Sequence, residues 1–183
     1  MLLLSWVACD WSRYELDQGS LDPHRQLTHQ GRARRYALFT STAGDDRPLV
    51  LLLHGAGDDL TTLIADPAPP SPMGGPWIQT AEAEGFHLLM PEGVDGHWND
   101  CRTDCPDCPE TVDDSAFLLA LLDQVQREVR ADPDRIYVTG ASDGGRMALR
   151  LAREHDDRIA AISVVTASEP ATGDCGAPPP LPV

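Results

Sequence analysis

Residues 132–152 read DPDRIYVTGASDGGRMALRLA, and the middle of this stretch decides the fold. Ile136 to Thr139 is a short apolar run, bounded by Asp132-Pro133 on one side and glycine on the other, as a buried strand requires. Met147 to Glu154 then offers Ala148, Leu151 and Ala152 for packing on a helix. Between them lies Gly140-Ala141-Ser142-Asp143-Gly144-Gly145. A serine with glycines two before and two after suits a tight strand-to-helix turn, where a Cβ would clash with passing backbone. Ser142 Oγ would then stand above the sheet, with the Asp143 amide aimed from the helix N-terminus toward a developing oxyanion. An ordinary glycine-rich turn is the simpler alternative. The Asp143 carboxylate would oppose negative charge there unless it turns away or is held by the helix dipole.

Working outward, Leu49 to Leu53 (LVLLL) and Phe86 to Met90 (FHLLM) read as strands buried on both faces, and Ile159 to Val165 as a fourth strand of the parallel type. Tyr36 to Thr40 is a further short strand candidate. Asp114 to Arg130 is the clearest helix: Phe117, Leu121, Val125 and Val129 form one stripe, flanked by Leu118 and Leu122. Trp77 to Glu84 can form another, stopped by Gly85. Residues 10–30, the Pro/Gly-rich 66–76 and the long segment 92–113 read as loop. Strands alternating with helices indicate an α/β fold with a parallel sheet. His54-Gly55-Ala56-Gly57 directly follows LVLLL, and such a loop can supply a second oxyanion amide. Ala56 is the assigned donor and Gly57 the alternative.

At this point a family resemblance is visible. LLLHGAG, FHLLMPEG, HWNDC, DDSAFLLALLD, DPDRIYVTGASDGGRMALRLA and DRIAAISVV, in this order, resemble the carboxylesterase family that includes feruloyl and acetylxylan esterases, polyhydroxybutyrate depolymerases and related lipoprotein esterases. The resemblance spans roughly residues 34–176. It implies the α/β-hydrolase fold, a mostly parallel sheet with helices on both faces, and a serine hydrolase of small or polymeric carboxylic esters without a cofactor. Ser142 would be the nucleophile, and the Ala56 and Asp143 amides the oxyanion donors. His54 and Trp98 would border the substrate cleft, although Trp98 has an equal reading as a packing residue. In this family the base follows the nucleophile in the chain, so His54 reads as a residue that holds its loop. Beyond Ser142 the only histidine is His155, at the far end of the following helix, and no motif places Asp156, Asp157 or Asp174 as the acid. The resemblance therefore implies a chain whose last strands, with the triad acid and histidine, are missing, and negligible esterase activity from it alone.

The 183 residues divide into 1–9, similar to the back half of a bacterial lipoprotein signal ending at Cys9; an N-terminal loop segment, 10–33; the partial hydrolase domain, 34–176; and a proline-rich end, 177–183. A short buried segment is the alternative for 1–9. A lipid anchor at Cys9 and export to the cell envelope or medium would agree with disulfides among Cys101, Cys105, Cys108 and Cys175. Cys101-x3-Cys105-x2-Cys108 also has the spacing of an iron–sulfur triplet, and with His97 that of a zinc site. A non-catalytic binding domain is the third alternative. Acidic residues number 29 against 14 basic ones, all arginine, for a net charge of −15, which disfavours nucleic acid and anionic lipid as partners. Arg32, Arg34 and Arg35 form a small basic cluster that reads as a solvated strand edge. No apolar run approaches the length of a membrane-spanning helix.

Overall fold

The computed structural model describes residues 16–64, 74–102, 105–109 and 111–168. The signal-like 1–9 with Cys9, the end 177–183, Asp174 and Cys175 lie outside the described residues. Six strands form one sheet: β1 (Gly19–His29), β2 (Arg32–Ser41), β3 (Leu49–Leu53), β4 (His87–Pro91), β5 (Ile136–Ala141) and β6 (Ala161–Val165), in the order β1-β2-β4-β3-β5-β6. β1–β2 and β2–β4 are antiparallel; β4–β3, β3–β5 and β5–β6 are parallel. Among the described residues there are also four helices: α1 (Leu60–Ile64), α2 (Gly74–Glu84), α3 (Asp114–Val129) and α4 (Asp143–Glu154).

The continuous apolar strands are buried on both faces because each face carries helices. Leu49, Leu51 and Leu53 of β3 pack with Ile136, Val138 and the apolar stripes of α3 and α4. Val50 and Leu52, on the alternate face, pack with Leu88, Met90, α1 and α2. The result is a three-layer α/β/α domain. α3 begins at Asp113, whose side chain accepts the Ala116 N–H at 3.0 Å, and ends with Arg130 in a left-handed conformation.

Three sequence expectations need correction. Residues 19–29 are strand rather than loop and form part of the sheet. They alternate between half-buried and exposed. The inward set includes Pro23 and Arg25, and a bulge between Asp22 and Arg25 interrupts the register. Gly74 to Pro76 belong to α2, since proline is tolerated in a first helical turn. Arg34 is not solvated: it is 4% exposed and pairs at 2.7 Å with Asp114, which is wholly buried. Its guanidinium also lies 3.9 Å over the Phe117 ring centroid.

Candidate active site

Parallel strands end on the same edge of a sheet, and ligands of α/β proteins gather there. β3 and β5 are neighbours, with Leu53 opposite Gly140, so the segments that follow them, His54–Gly57 and Ser142–Gly145, emerge side by side. A Cβ built on Gly55 would lie 3.8 Å from Ser142 Cβ. The oxyanion-type loop and the serine are therefore adjacent.

Ser142 has φ 53° and ψ −118°, a conformation that L side chains seldom adopt. The surrounding packing enforces it. A Cβ on Gly140 would come within 2.4 Å of the Gly144 carbonyl group, and one on Gly144 would sit 2.2 Å from the Leu53 carbonyl oxygen. Only glycines allow α4 to start so close to β3. The Ser142 N–H is anchored to the Val165 carbonyl on β6 at 3.0 Å, and its hydroxyl makes no capping bond with the helix that it heads.

Asp143 keeps its side chain buried and paired. The carboxylate is 4% exposed and takes three partners: Arg102 Nη2 at 2.8 Å, Arg146 Nη1 at 3.3 Å and His97 Nδ1 at 3.2 Å. Arg102 is itself braced by the buried Asp100 carboxylate at 2.8 Å. Burial works against its charge, but Asp100 and Asp143 together hold the guanidinium above its ordinary value. Two partly buried arginines thus offset the charge that would otherwise face an oxyanion. Sequence reasoning missed Arg102, because nothing local links it to a residue 41 positions away.

The loop after β3 is held from beneath. His54 is fully buried; its Nδ1 lies 2.7 Å from the Gly55 carbonyl, and its Nε2 accepts the Gly93 N–H at 2.8 Å. These contacts fix one neutral tautomer, Nδ1–H. Burial pushes the imidazole below its ordinary pKa. Trp98 is also fully buried, donates its indole N–H to the His54 carbonyl at 3.0 Å, and packs tilted against the imidazole with ring centroids 4.9 Å apart. Neither side chain borders an open cleft, which corrects that expectation: both are fully covered and serve as props. The Gly57 N–H is bonded to the Gly96 carbonyl at 2.9 Å. That amide is engaged, whereas Ala56 sits at the exposed tip of the loop.

His155 caps the far end of α4, where its Nε2 lies 3.0 Å from Ser115 Oγ. A twelve-residue helix, about 18 Å long at 1.5 Å per residue, separates it from Ser142. The cysteine triplet is oxidised. Cys105 and Cys108 are joined in a disulfide, and Cys101 is disulfide-bonded as well. His97, Cys105 and Cys108 do converge, with ligand atoms within 4.8 Å of one another. The two sulfurs are bonded to each other, however, and no free thiolate triplet exists for the iron–sulfur or zinc reading.

No family model matches the sequence. Among curated proteins, the chain is 33% identical over 150 residues to "Putative esterase NocK" of Nocardia uniformis subsp. tsuyamanensis, covering 80% of this chain and 41% of NocK. It is 25% identical over 137 residues to the bifunctional acetylxylan esterase/xylanase XynS20E of Neocallimastix patriciarum, covering 73% of this chain and 18% of that protein. The chain therefore spans well under half the length of these two relatives. Among solved structures, an S-formylglutathione hydrolase from Agrobacterium tumefaciens superposes with a TM-score of 0.61 at 17% identity, over 80% of this chain and 57% of that one. A ferulic acid esterase superposes with a TM-score of 0.58 at 18% identity, over 80% and 58% of the two chains. Sheet order, the Ser142 turn and these likenesses together give the chain the α/β-hydrolase fold, and over part of their length it is similar in sequence to esterases.

Proposed function

We propose that the chain carries the nucleophile and oxyanion hole of a serine carboxylesterase. Ser142 Oγ attacks the carbonyl carbon of a carboxylic ester, the alcohol leaves, and water releases the acid from acyl-Ser142. The Ala56 and Asp143 amides receive the oxyanion. The observation that carries this reading is the backbone of Ser142, held at φ 53° and ψ −118° beside the loop after β3. Such strain persists only where surrounding structure over-determines it, which is a reason to look for function there.

Feruloyl or acetylxylan esters and polyhydroxyalkanoates are the substrate classes that the family resemblance and the names of the relatives support, with export from a bacterial cell as the accompanying location. Among the described residues, His155 is too remote to act as base, and His54 is locked between two backbone groups. We assign the acid and base of the reaction to neither of them. Exposure of the full-length protein to a fluorophosphonate probe tests the reading, with the adduct located by peptide mass. Attachment at Ser142, lost in Ser142→Ala, is the expected result; labelling that survives the substitution removes Ser142 as nucleophile.

A further inference from the structure

We propose that the Cys105–Cys108 disulfide is a thiol-exchange site, open to dithiol reductants, and that Arg102 connects it to the turn holding Ser142. Four observations meet here. The disulfide closes across only Pro106 and Asp107, so it removes little chain entropy from the unfolded state and contributes little as a staple. Pro106 and Asp107 are exposed and Cys105 is half-buried, whereas Cys108 is 9% exposed. Arg102 Nη2 donates to Cys108 Sγ at 3.4 Å. His97 offers a ring nitrogen within 4.8 Å of both sulfurs.

These features assign the two sulfurs different tasks. A reductant thiolate attacks Sγ of Cys105, the more exposed of the two residues. The Cys105–Cys108 bond breaks, and its electron pair leaves on Cys108 Sγ as a thiolate beside the Arg102 cation. A leaving thiol with a lowered pKa departs faster, and a neighbouring guanidinium lowers it. The second thiolate of the same reductant then attacks its partner sulfur in the mixed disulfide and releases Cys105 as a thiolate. The protein takes up two electrons and, on protonation, two protons; the dithiol is oxidised to its cyclic disulfide.

The connection to the nucleophile turn runs through one side chain. Arg102 holds Asp143 Oδ1 at 2.8 Å and Cys108 Sγ at 3.4 Å. In the oxidised chain Asp143 is its anionic partner on that side. After reduction a second anion, the Cys108 thiolate, competes for the same Nη2 group. The exchange chemistry itself does not rest on the ester-hydrolysis reading.

The test uses the folded full chain, limiting dithiothreitol, an iodoacetamide quench and peptide mapping. Cys105 and Cys108 should be alkylated together at reductant levels that leave Cys101 unmodified, with circular dichroism unchanged. Reduction of Cys101 first or concurrently, or reduction only in urea, overturns the exchange site. In the reduced protein, Arg102→Met should slow Cys108 alkylation at pH 7 by about tenfold, the effect of a thiol pKa raised by roughly one unit. Arg102→Lys, which keeps the charge in a less demanding side chain, should fall between. Asp143→Asn should act in the opposite sense, because it frees Arg102 for the thiolate. Rates unchanged in both Arg102 variants and in Asp143→Asn overturn the connection. Exchange is read from thiol alkylation alone, so a failure of probe labelling at Ser142 leaves this result standing.

Discussion

Arg34→Met is the most informative perturbation of the scaffold, because it removes one half of an ion pair sealed from water. Arg34 and Asp114 are 4% and 0% exposed and 2.7 Å apart. Asp114 also accepts the Asn99 N–H through its second oxygen at 2.7 Å, and Arg34 donates to the Glu92 carbonyl at 3.2 Å. Methionine can fill the volume over Phe117, but it leaves a buried carboxylate without its cation. Breaking such a pair on one side costs about 3–5 kcal/mol, against roughly 0–1 kcal/mol for an exposed pair. With about 2–4 °C per kcal/mol for a domain of this size, the melting temperature should fall by about 6–20 °C. Urea unfolding of the full chain, followed by circular dichroism, measures the loss directly. Arg34→Met/Asp114→Asn should recover much of it, since the neutral amide needs no cation and still accepts from Asn99. A loss below about 1 kcal/mol for Arg34→Met, or no recovery in the double variant, would refute the view that this pair is a desolvated unit.

Gly144→Ala should disrupt both the Ser142 turn and the loop after β3, because the new methyl meets the Leu53 and His54 carbonyl oxygens at 2.2 and 2.5 Å. A loss of about 2–3 kcal/mol, at the upper end for an overpacked site, should appear in the same unfolding assay, and unaltered stability would show that the turn can yield. Trp98→Phe leaves the buried His54 carbonyl without its donor and should cost about 1–3 kcal/mol, with reduced fluorophosphonate labelling if the loop shifts. His54 and His87 are both pushed below the ordinary imidazole pKa, primarily by burial, and His87 Nδ1 accepts the Ser41 N–H at 3.2 Å, which the protonated ring could not do. Their neutral forms belong to the folded state, so stability should be intact above pH 6.5 and decline as pH falls below it. The slope from these two groups is at most about 1.4 kcal/mol per pH unit each. Unfolding midpoints between pH 7.5 and 5.5 check this, and a flatter profile is expected for His87→Gln.

What was legible in the sequence follows from how locally each feature is encoded. β3, β4, β5 and α3 announce themselves through apolar runs and a 3.6-residue stripe, because their burial depends on neighbours along the chain. The Ser142 turn is legible for the same reason: the glycines that allow it lie within two residues. β1 is not, since its inward positions include Pro23 and Arg25 and it is held by pairing with β2 rather than by apolar burial. α1, five residues long, is too short to show a period. Arg34 and Asp114 are 80 positions apart, so the sequence shows an arginine cluster and an acidic helix start but not their meeting. The cleft role expected of Trp98 failed because an aromatic residue near a motif may face either way, and here the indole N–H found a backbone carbonyl inside. The pairing of Cys105 with Cys108 was one of several possibilities that spacing alone cannot rank.

With Ser142 as the proposed nucleophile, folding and chemistry stand in opposition at one position. A glycine would adopt φ 53° and ψ −118° freely, whereas serine holds it at a cost of about 1–3 kcal/mol. Ser142→Gly should therefore raise thermal stability while abolishing probe attachment. Stability and probe reactivity should thus move in opposite directions at this one position.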